Sequence, residues 1–454
     1  MSLIAPFRGL RYNPARIDRM EDVVTPPYDV IDDKAQAVLL ARNPYNMIQL
    51  DLSKNVKPEE ATDERYLQSK RLLDKWQAEG VMLRDAAPAI YLYHIEYTHP
   101  TGRRLTRKGL VALVGLAEFD EGVVKPHEKT FGGVITDRVR LLDTCQTQFS
   151  QIFSLYSDPE NEVMACLEAA CPETPLCNAM DSDGGRHMLW AVTDPGAIAR
   201  VRQLFADKAL YIADGHHRYT TALQLRKLMR EREGGVADDS PYNHTMMYLC
   251  GMEDPGLSVL PTHRLALLPG GLAADDMVAR LRPGFEVEEV HGGSREVLVG
   301  EVLSRMDEQS GQGTRFGFYH PGEDRCFLLA LKKDDLPGDF VASHPDVLRE
   351  LDVVVLSDLL LERLLKLDHH RCEDEGLIDY FSDPDEGLDV AVKSLTSSPD
   401  KTPALFLMNP TLVGQVRAVA DSNLVMPHKS TFFYPKILTG LLMNKLVGDE
   451  RVGS

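Results

Sequence analysis

Cysteine is scarce and scattered in this chain of 454 residues. Cys145, Cys166, Cys171, Cys177, Cys250, Cys326 and Cys372 form an odd set with no CxxC pair. That excludes a disulfide framework and a zinc site built on paired thiolates, and it fits a reducing compartment. Long apolar runs are missing too. The start, Met1 to Arg8, has no basic flank followed by an apolar stretch, and segments such as Leu110 to Ala117 are too short to span a bilayer. The reading is a cytoplasmic protein without a membrane partner. Positive charge is outnumbered: 50 Lys and Arg face 69 Asp and Glu, a formal charge of -19. Such a field repels a nucleic-acid backbone, so extended nucleic-acid binding is excluded. A basic pocket would have to be assembled from individual Arg, Lys and His residues. No GxxxxGK[ST] run occurs, so a Walker-type loop is not supported.

What is present is enough for a globule, with 43% hydrophobic and 26% charged residues. The length exceeds what one core fills, roughly 250 to 300 residues. The expected fold class is mixed α/β (α+β), multi-domain, with mixed sheets. Segments 1–158, 159–268 and 269–454 are the expected N-terminal, middle and C-terminal parts. Helices are predicted near Asp33 to Arg42, Glu59 to Glu79, Asp137 to Gln148, Pro195 to Phe205, Tyr219 to Arg232, Leu356 to Leu367 and Leu412 to Ala420. Strands are predicted at Ala89 to Tyr97, Leu110 to Phe119, Ala209 to Ala213, Arg315 to Tyr319, Cys326 to Leu331 and Ala404 to Met408. A helix and a variable connection are expected between Pro159 and Asp183, and Lys125 to Gly133 reads as a charged loop.

The densest chemistry lies in Ala213-Asp214-Gly215-His216-His217-Arg218-Tyr219. A strand ending at Ala213 and a helix opening near His216 leave bare backbone N–H groups that attract anions. Gly215 lets a ligand approach the backbone, Arg218 offers a bidentate fork, and His216 and His217 can donate hydrogen bonds. Together these suit a phosphate. The competing reading makes Asp214 an N-cap and the two histidines packing residues. A cap would occupy the donors a phosphate needs. Mg²⁺ held partly by Asp214 would reconcile the two.

Several segments resemble the bacterial and archaeal domain-of-unknown-function family 1015: Pro6 to Tyr12, Pro26 to Ile31, Asn43 to Asn46, Ala213 to Tyr219, and Lys429-Ser430-Thr431 before Phe433 to Lys436. The resemblance covers nearly the whole chain. His428 and Gly9 depart from its pattern, which has proline and alanine there. The Gly-His-His-Arg element is similar to that of the wider ParB/sulfiredoxin-like group, in which such a turn handles nucleotide phosphates and free-serine kinases occur. The resemblance implies a ParB/sulfiredoxin-like phosphate-binding unit and phosphorylation of free L-serine.

Other segments could complete such a site. His127, Glu128 and Lys129 combine base, acid and cation, against the alternative of plain surface charge. Arg138 and Arg140 could extend a phosphate surface at a helix start. Lys429, Ser430 and Thr431 join a cation to two hydroxyls, against a solvated turn. His263 and Arg264 follow an apolar run and are expected at a sheet edge. Asp29, after Pro26-Pro27-Tyr28, is an acid or metal-ligand candidate, with its own turn as the competing use.

The reading is a small-molecule phosphotransferase. Gly215, His216, His217 and Arg218 hold the donor phosphate, Asp214 helps with Mg²⁺, and Glu128 or Asp29 serves the acceptor hydroxyl. ATP, ADP or pyrophosphate is the donor, the partner is a small-molecule substrate, and a homo-oligomer is left open. The alternatives are a nucleotide-binding regulatory module of ParB-like type without turnover, and a metal-dependent phosphohydrolase.

Overall fold

The computed structural model describes residues 4–52, 64–130, 132–309, 311–368, 372 and 375–453. Contacts divide the chain into two compact units where the sequence suggested three consecutive segments. The first comprises Met1–Pro126, Thr130–Ser258 and Phe433–Ser454; the second comprises His127–Lys129 and Val259–Phe432.

The first unit is built on a nine-stranded mixed sheet. Its strands are β1 (Ile4–Ala5), β2 (Ile90–Thr98), β3 (Arg104–Gly115), β4 (Val124–Lys125), β5 (Ile152–Tyr156), β6 (Cys177–Met180), β7 (Arg186–Val192), β8 (Leu210–Asp214) and β9 (His244–Gly251). They run in the order β4-β8-β5-β9-β3-β2-β7-β6, with β1 pairing β3. The longer helices are α1 (Asp33–Arg42), α2 (Glu64–Ala78), α3 (Gly132–Cys145), α4 (Glu162–Ala169), α5 (Pro195–Phe205) and α6 (His216–Glu233), and a single helical turn at Ile48–Asp51 carries Asp51. Local sequence explains their starts. Asp32 caps α1 through Ala35 N–H at 2.7 Å, and Asp194 caps α5 through Ala197 N–H at 2.7 Å with Pro195 at the first helical position.

Successive side chains of a strand alternate between faces, so each strand serves two environments. One face carries Leu92, Leu110, Ala112, Ile152, Leu210, Ile212, Met247 and Leu249 and is covered by Leu167 of α4, Phe205 of α5 and Tyr219 of α6. The opposite face is aromatic and polar, and the strand register sets Asp214 beside Phe153 and Phe153 beside Tyr248.

The α2 helix was expected from Glu59; residues 59–63 lie outside the described residues. Helix α3 starts five residues earlier than expected, so Gly132 and Gly133 open a helix instead of closing a charged loop. Between Pro159 and Asp183 the helix is joined by a paired strand, β6.

In the second unit, β10 (His263–Pro269), β11 (Phe285–Val290), β12 (Arg315–His320), β13 (Arg325–Leu331), β14 (Ile378–Phe381) and β15 (Lys401–Leu407) form a six-stranded sheet in the order β11-β13-β12-β15-β10-β14. Val299 and Val302 of a helix at Arg295–Glu308, and Leu388 and Ala391 of one at Pro384–Ser397, pack on it. The helix expected at Leu356 to Leu367 is a wide π-type helix over Val355–Leu364. No helix among the described residues is long and apolar enough to cross a membrane.

Candidate functional site

Strand β8 ends on Asp214, where an irregular register with β5 turns the chain out of the sheet. Gly215 follows at φ +96°, and α6 begins at His216. The glycine is required twice over. That φ disfavours L side chains, and a Cβ would lie 2.9 Å from the Arg218 guanidinium carbon. Gly215 stands at the N-cap and has no side chain to cap with, and no hydrogen bond from a helix N–H to Asp214 is present among the described residues.

The Asp214 carboxylate is used otherwise. One oxygen accepts from Lys436 Nζ at 2.8 Å and the other from the Arg218 guanidinium. A second arm of Arg218 donates to the Gln151 carbonyl and lies 3.5 Å from Ser150 Oγ. The three charged side chains are only 12–17% exposed. Burial alone would raise the Asp214 carboxyl, but Lys436 and then Arg218, with a smaller part from His216, outweigh it and hold the group well below the usual carboxylate range. Burial likewise opposes the charge on Arg218, and Asp214, Asp29, Tyr28 and Asp51 more than offset it.

Arg218 lines a half-open cleft, about 500 Å³ when the open solvent at its mouth is counted, together with Tyr28, Asp51, Arg138, Ser150 and Thr221. The Thr221 hydroxyl is buried without a hydrogen-bond partner among the described residues. Arg138 donates to Asp51 Oδ1 at 2.8 Å and to Asp137 Oδ2 at 2.8 Å, and its guanidinium carbon stands 4.6 Å from the Tyr28 ring centroid. Burial raises the Asp51 carboxyl despite Arg138 and pushes the Tyr28 hydroxyl up to about 12. Asp29 is exposed on the one-turn 3-10 helix Tyr28–Val30.

The metal role expected of Asp214 does not fit its bonding, because Mg²⁺ would have to displace two cations from its carboxylate. Among the described residues no group of three or more His, Cys, Asp or Glu is placed to hold a metal ion by protein ligands alone. Histidines 216 and 217 stand in the first turn of α6, His216 buried and His217 half-buried.

The remaining sequence candidates belong to the second unit, apart from Arg138 and Arg140, which is exposed on α3, and the structure gives most of them internal work. Glu128 accepts from the Lys429 backbone N–H at 3.0 Å and lies 2.9 Å from His428 Nδ1, so its carboxylate is not a ready base. His127, 1% exposed, has Nε2 3.1 Å from Thr431 Oγ1. Ser430 Oγ donates to the Pro427 carbonyl at 2.6 Å. Segments 127–129 and 427–431 are thus brought together, tied by Met426 N–H to the His127 carbonyl at 2.8 Å. Lys129 is exposed. His263 and Arg264 are buried, and their strand β10 lies between β15 and β14 rather than at a sheet edge. Burial pulls His263 down to about 4, and its Nδ1 accepts from Met408 N–H at 3.0 Å, so it has no positive charge to offer a phosphate near neutral pH. Arg264 donates to the carbonyls of Thr262 and Lys429 at 3.3 and 3.5 Å.

Sequence reasoning missed Tyr28, Asp51, Ser150, Thr221 and Lys436. Two of them were visible as punctuation, Tyr28 in Pro26-Pro27-Tyr28-Asp29 and Lys436 after Tyr434-Pro435.

Fold and site define a mixed α/β protein of two units whose first unit carries a buried ion triad at a strand-to-helix turn beside a cleft. The chain belongs to the family described as protein of unknown function (DUF1015), whose model matches residues 4–354. No curated protein matches the sequence. Among solved structures, a free serine kinase in complex with AMP is 14% identical over 70% of this chain and 85% of its own, with a TM-score of 0.32. A conserved hypothetical protein from Pyrococcus furiosus is 14% identical over 71% and 90%, with a TM-score of 0.31. SbnI with C-terminal truncation from Staphylococcus aureus is 10% identical over 72% and 85%, with a TM-score of 0.32. Similarity this low says nothing of activity.

Proposed function

We propose that the chain is a small-molecule phosphotransferase that moves a phosphoryl group from ATP, ADP or pyrophosphate to a hydroxyl of a small metabolite, free L-serine being the acceptor the sequence resemblance favours. The observation that carries the reading is the cleft itself: it opens beside the glycine-hinged start of α6 and has Arg218 and Arg138 in its wall. Phosphoryl transfer asks for positioning and charge neutralisation more than for a covalent nucleophile. Arg218 would orient the transferring phosphoryl group, held in place by Asp214 and the Gln151 carbonyl. Lys436 would fix Asp214 in turn. Of the two acids expected to serve the acceptor, Asp29 is favoured over Glu128, because it is exposed and within the electrostatic reach of Arg218. Its carboxylate would take the hydroxyl proton as the acceptor oxygen bonds to phosphorus and the donor's bridging oxygen leaves with its electron pair.

The test is a product assay. Purified protein is incubated with each donor, Mg²⁺ and a panel of hydroxyl compounds headed by L-serine, and phosphorylated product is followed by mass spectrometry. Turnover that Arg218→Ala abolishes is expected. Turnover unchanged by Arg218→Ala removes the proposed site, and donor binding with no product from any acceptor replaces the enzyme by a nucleotide-binding regulatory module.

A further inference from the structure

Arg107, in β3, is fully buried at 0% exposure, and neither Nε nor either Nη meets a hydrogen-bond acceptor among the described residues. Its guanidinium carbon lies 4.7 Å from the Phe153 ring centroid and 5.4 Å from that of Tyr248. The Tyr248 hydroxyl is buried too and makes no hydrogen bond of good geometry among the described residues; burial raises it, and the Arg107 guanidinium lies close enough to lower it against that rise. A guanidinium cannot shed its proton, so burial leaves it charged, and a buried charge without a counter-charge is among the most costly groups a fold can hold. Two aromatic faces recover only part of that cost. Asp254 is an acid in electrostatic reach, but it spends Oδ1 on the Gly256 N–H at 2.9 Å, and no ion pair with Arg107 is present among the described residues.

The surroundings are shaped for this arrangement. A Cβ on Gly109, two residues along the same face of β3, would fall 2.3 Å from Tyr248 Cζ, so the glycine lets that ring lie down beside Arg107. A Cβ on Gly256 would fall 2.1 Å from the Thr106 carbonyl oxygen, so the chain after Asp254 passes directly against the strand. Phe433 and Tyr434 pack edge-on against Phe153 and Tyr97, with centroids 5.5 Å apart in each pair, and extend the aromatic cluster.

We propose that Arg107 and Tyr248 are the recognition pair of an enclosed site for the carboxylate of a small molecule in the first unit. The planar fork gives two parallel N–H donors to the two carboxylate oxygens, and the Tyr248 hydroxyl adds a third donor. The charge selects a monoanion. One guanidinium, opposed by the field of Asp254 and walled by aromatic rings, neutralises a carboxylate, but it would leave half of a phosphate dianion uncompensated in apolar surroundings. The site stands on these observations and does not depend on phosphoryl transfer.

The test is thermal unfolding of the full chain in Tris-chloride buffer free of carboxylates, titrated with sodium acetate and, separately, L-serine at constant ionic strength. The wild type should show a saturable rise in Tm of a few degrees. Arg107→Met should lose the saturable rise, and Tyr248→Phe should shift its midpoint several-fold to higher ligand concentration. A flat wild-type response to both ligands, or the same saturable rise in Arg107→Met, overturns the site. Should Arg107→Met fail to fold, an unchanged midpoint in Tyr248→Phe overturns it equally.

Discussion

Replacing Asp214 by Asn keeps shape and one acceptor but removes the charge that holds Arg218 and Lys436 together, leaving two cations facing each other in a space only 12–17% exposed. Removing one partner of a fully buried ion pair costs about 3–5 kcal/mol. Partial exposure places Asp214→Asn at the lower end, about 3 kcal/mol. Both tryptophans, Trp76 and Trp190, belong to the first unit, so urea unfolding followed by their emission reports that unit directly. The pH dependence has a definite sign. Asp214 is depressed in the folded state, so its stabilisation is fully present above its unfolded value of 3.8 and is lost as pH falls through the lower folded value. The gap between wild type and Asp214→Asn should therefore be constant from neutral pH to about 5 and close only below about 4. A loss under about 1 kcal/mol at neutral pH, the scale of an exposed pair, would refute the reading of a buried triad.

Gly215→Ala places a side chain at φ +96° and against Arg218, and should lose about 2 kcal/mol in the same urea assay, within the range for one strained residue. Arg138→Met strips Asp51 of its cation. Asp51 is already raised by burial, so its contribution is present below 3.8 and lost as pH rises through the folded value; the variant's deficit against wild type should widen between pH 4 and 8, seen as Tm across that range. Glu128→Gln keeps an oxygen for the Lys429 N–H and should leave kcat within about twofold, whereas Asp29→Asn should lower it by about a hundredfold or more if Asp29 takes the acceptor proton.

Elements with local signals were legible in the sequence. Helix α1 lies between Asp32, which caps it, and Asn43-Pro44, which stops it, and α5 opens on Asp194-Pro195. The strand-to-helix turn at Asp214-Gly215 was legible for the same reason. What the turn's charges do was not. The partner that decides Asp214 is Lys436, 222 residues away, and no periodicity links the two. The charged runs at 127–129 and 427–431 looked like ligand-binding loops because nothing local shows that each satisfies the other. The π-type helix at Val355–Leu364 escaped because its apolar pattern resembles that of an ordinary helix.

The charges around the cleft bear on how a phosphate could be held. Arg65, Arg138, Arg218 and Lys436 are matched by Asp29, Asp51, Asp137 and Asp214, so net attraction does not draw an anion in. Donors must win by geometry, or a carboxylate must give up its charge. Asp51 is the group that burial already pushes toward the neutral form, and it lines the cleft. Asp51→Asn keeps an oxygen for Arg138 while leaving one positive charge unmatched, so it should tighten pyrophosphate or nucleotide binding several-fold. Because phosphates themselves take up a proton near pH 6, the comparison belongs at a fixed pH of about 8, by calorimetric titration. Weaker binding by Asp51→Asn would mean that the carboxylate itself positions the ligand or its cation, and the charge-balance account of the cleft would fall.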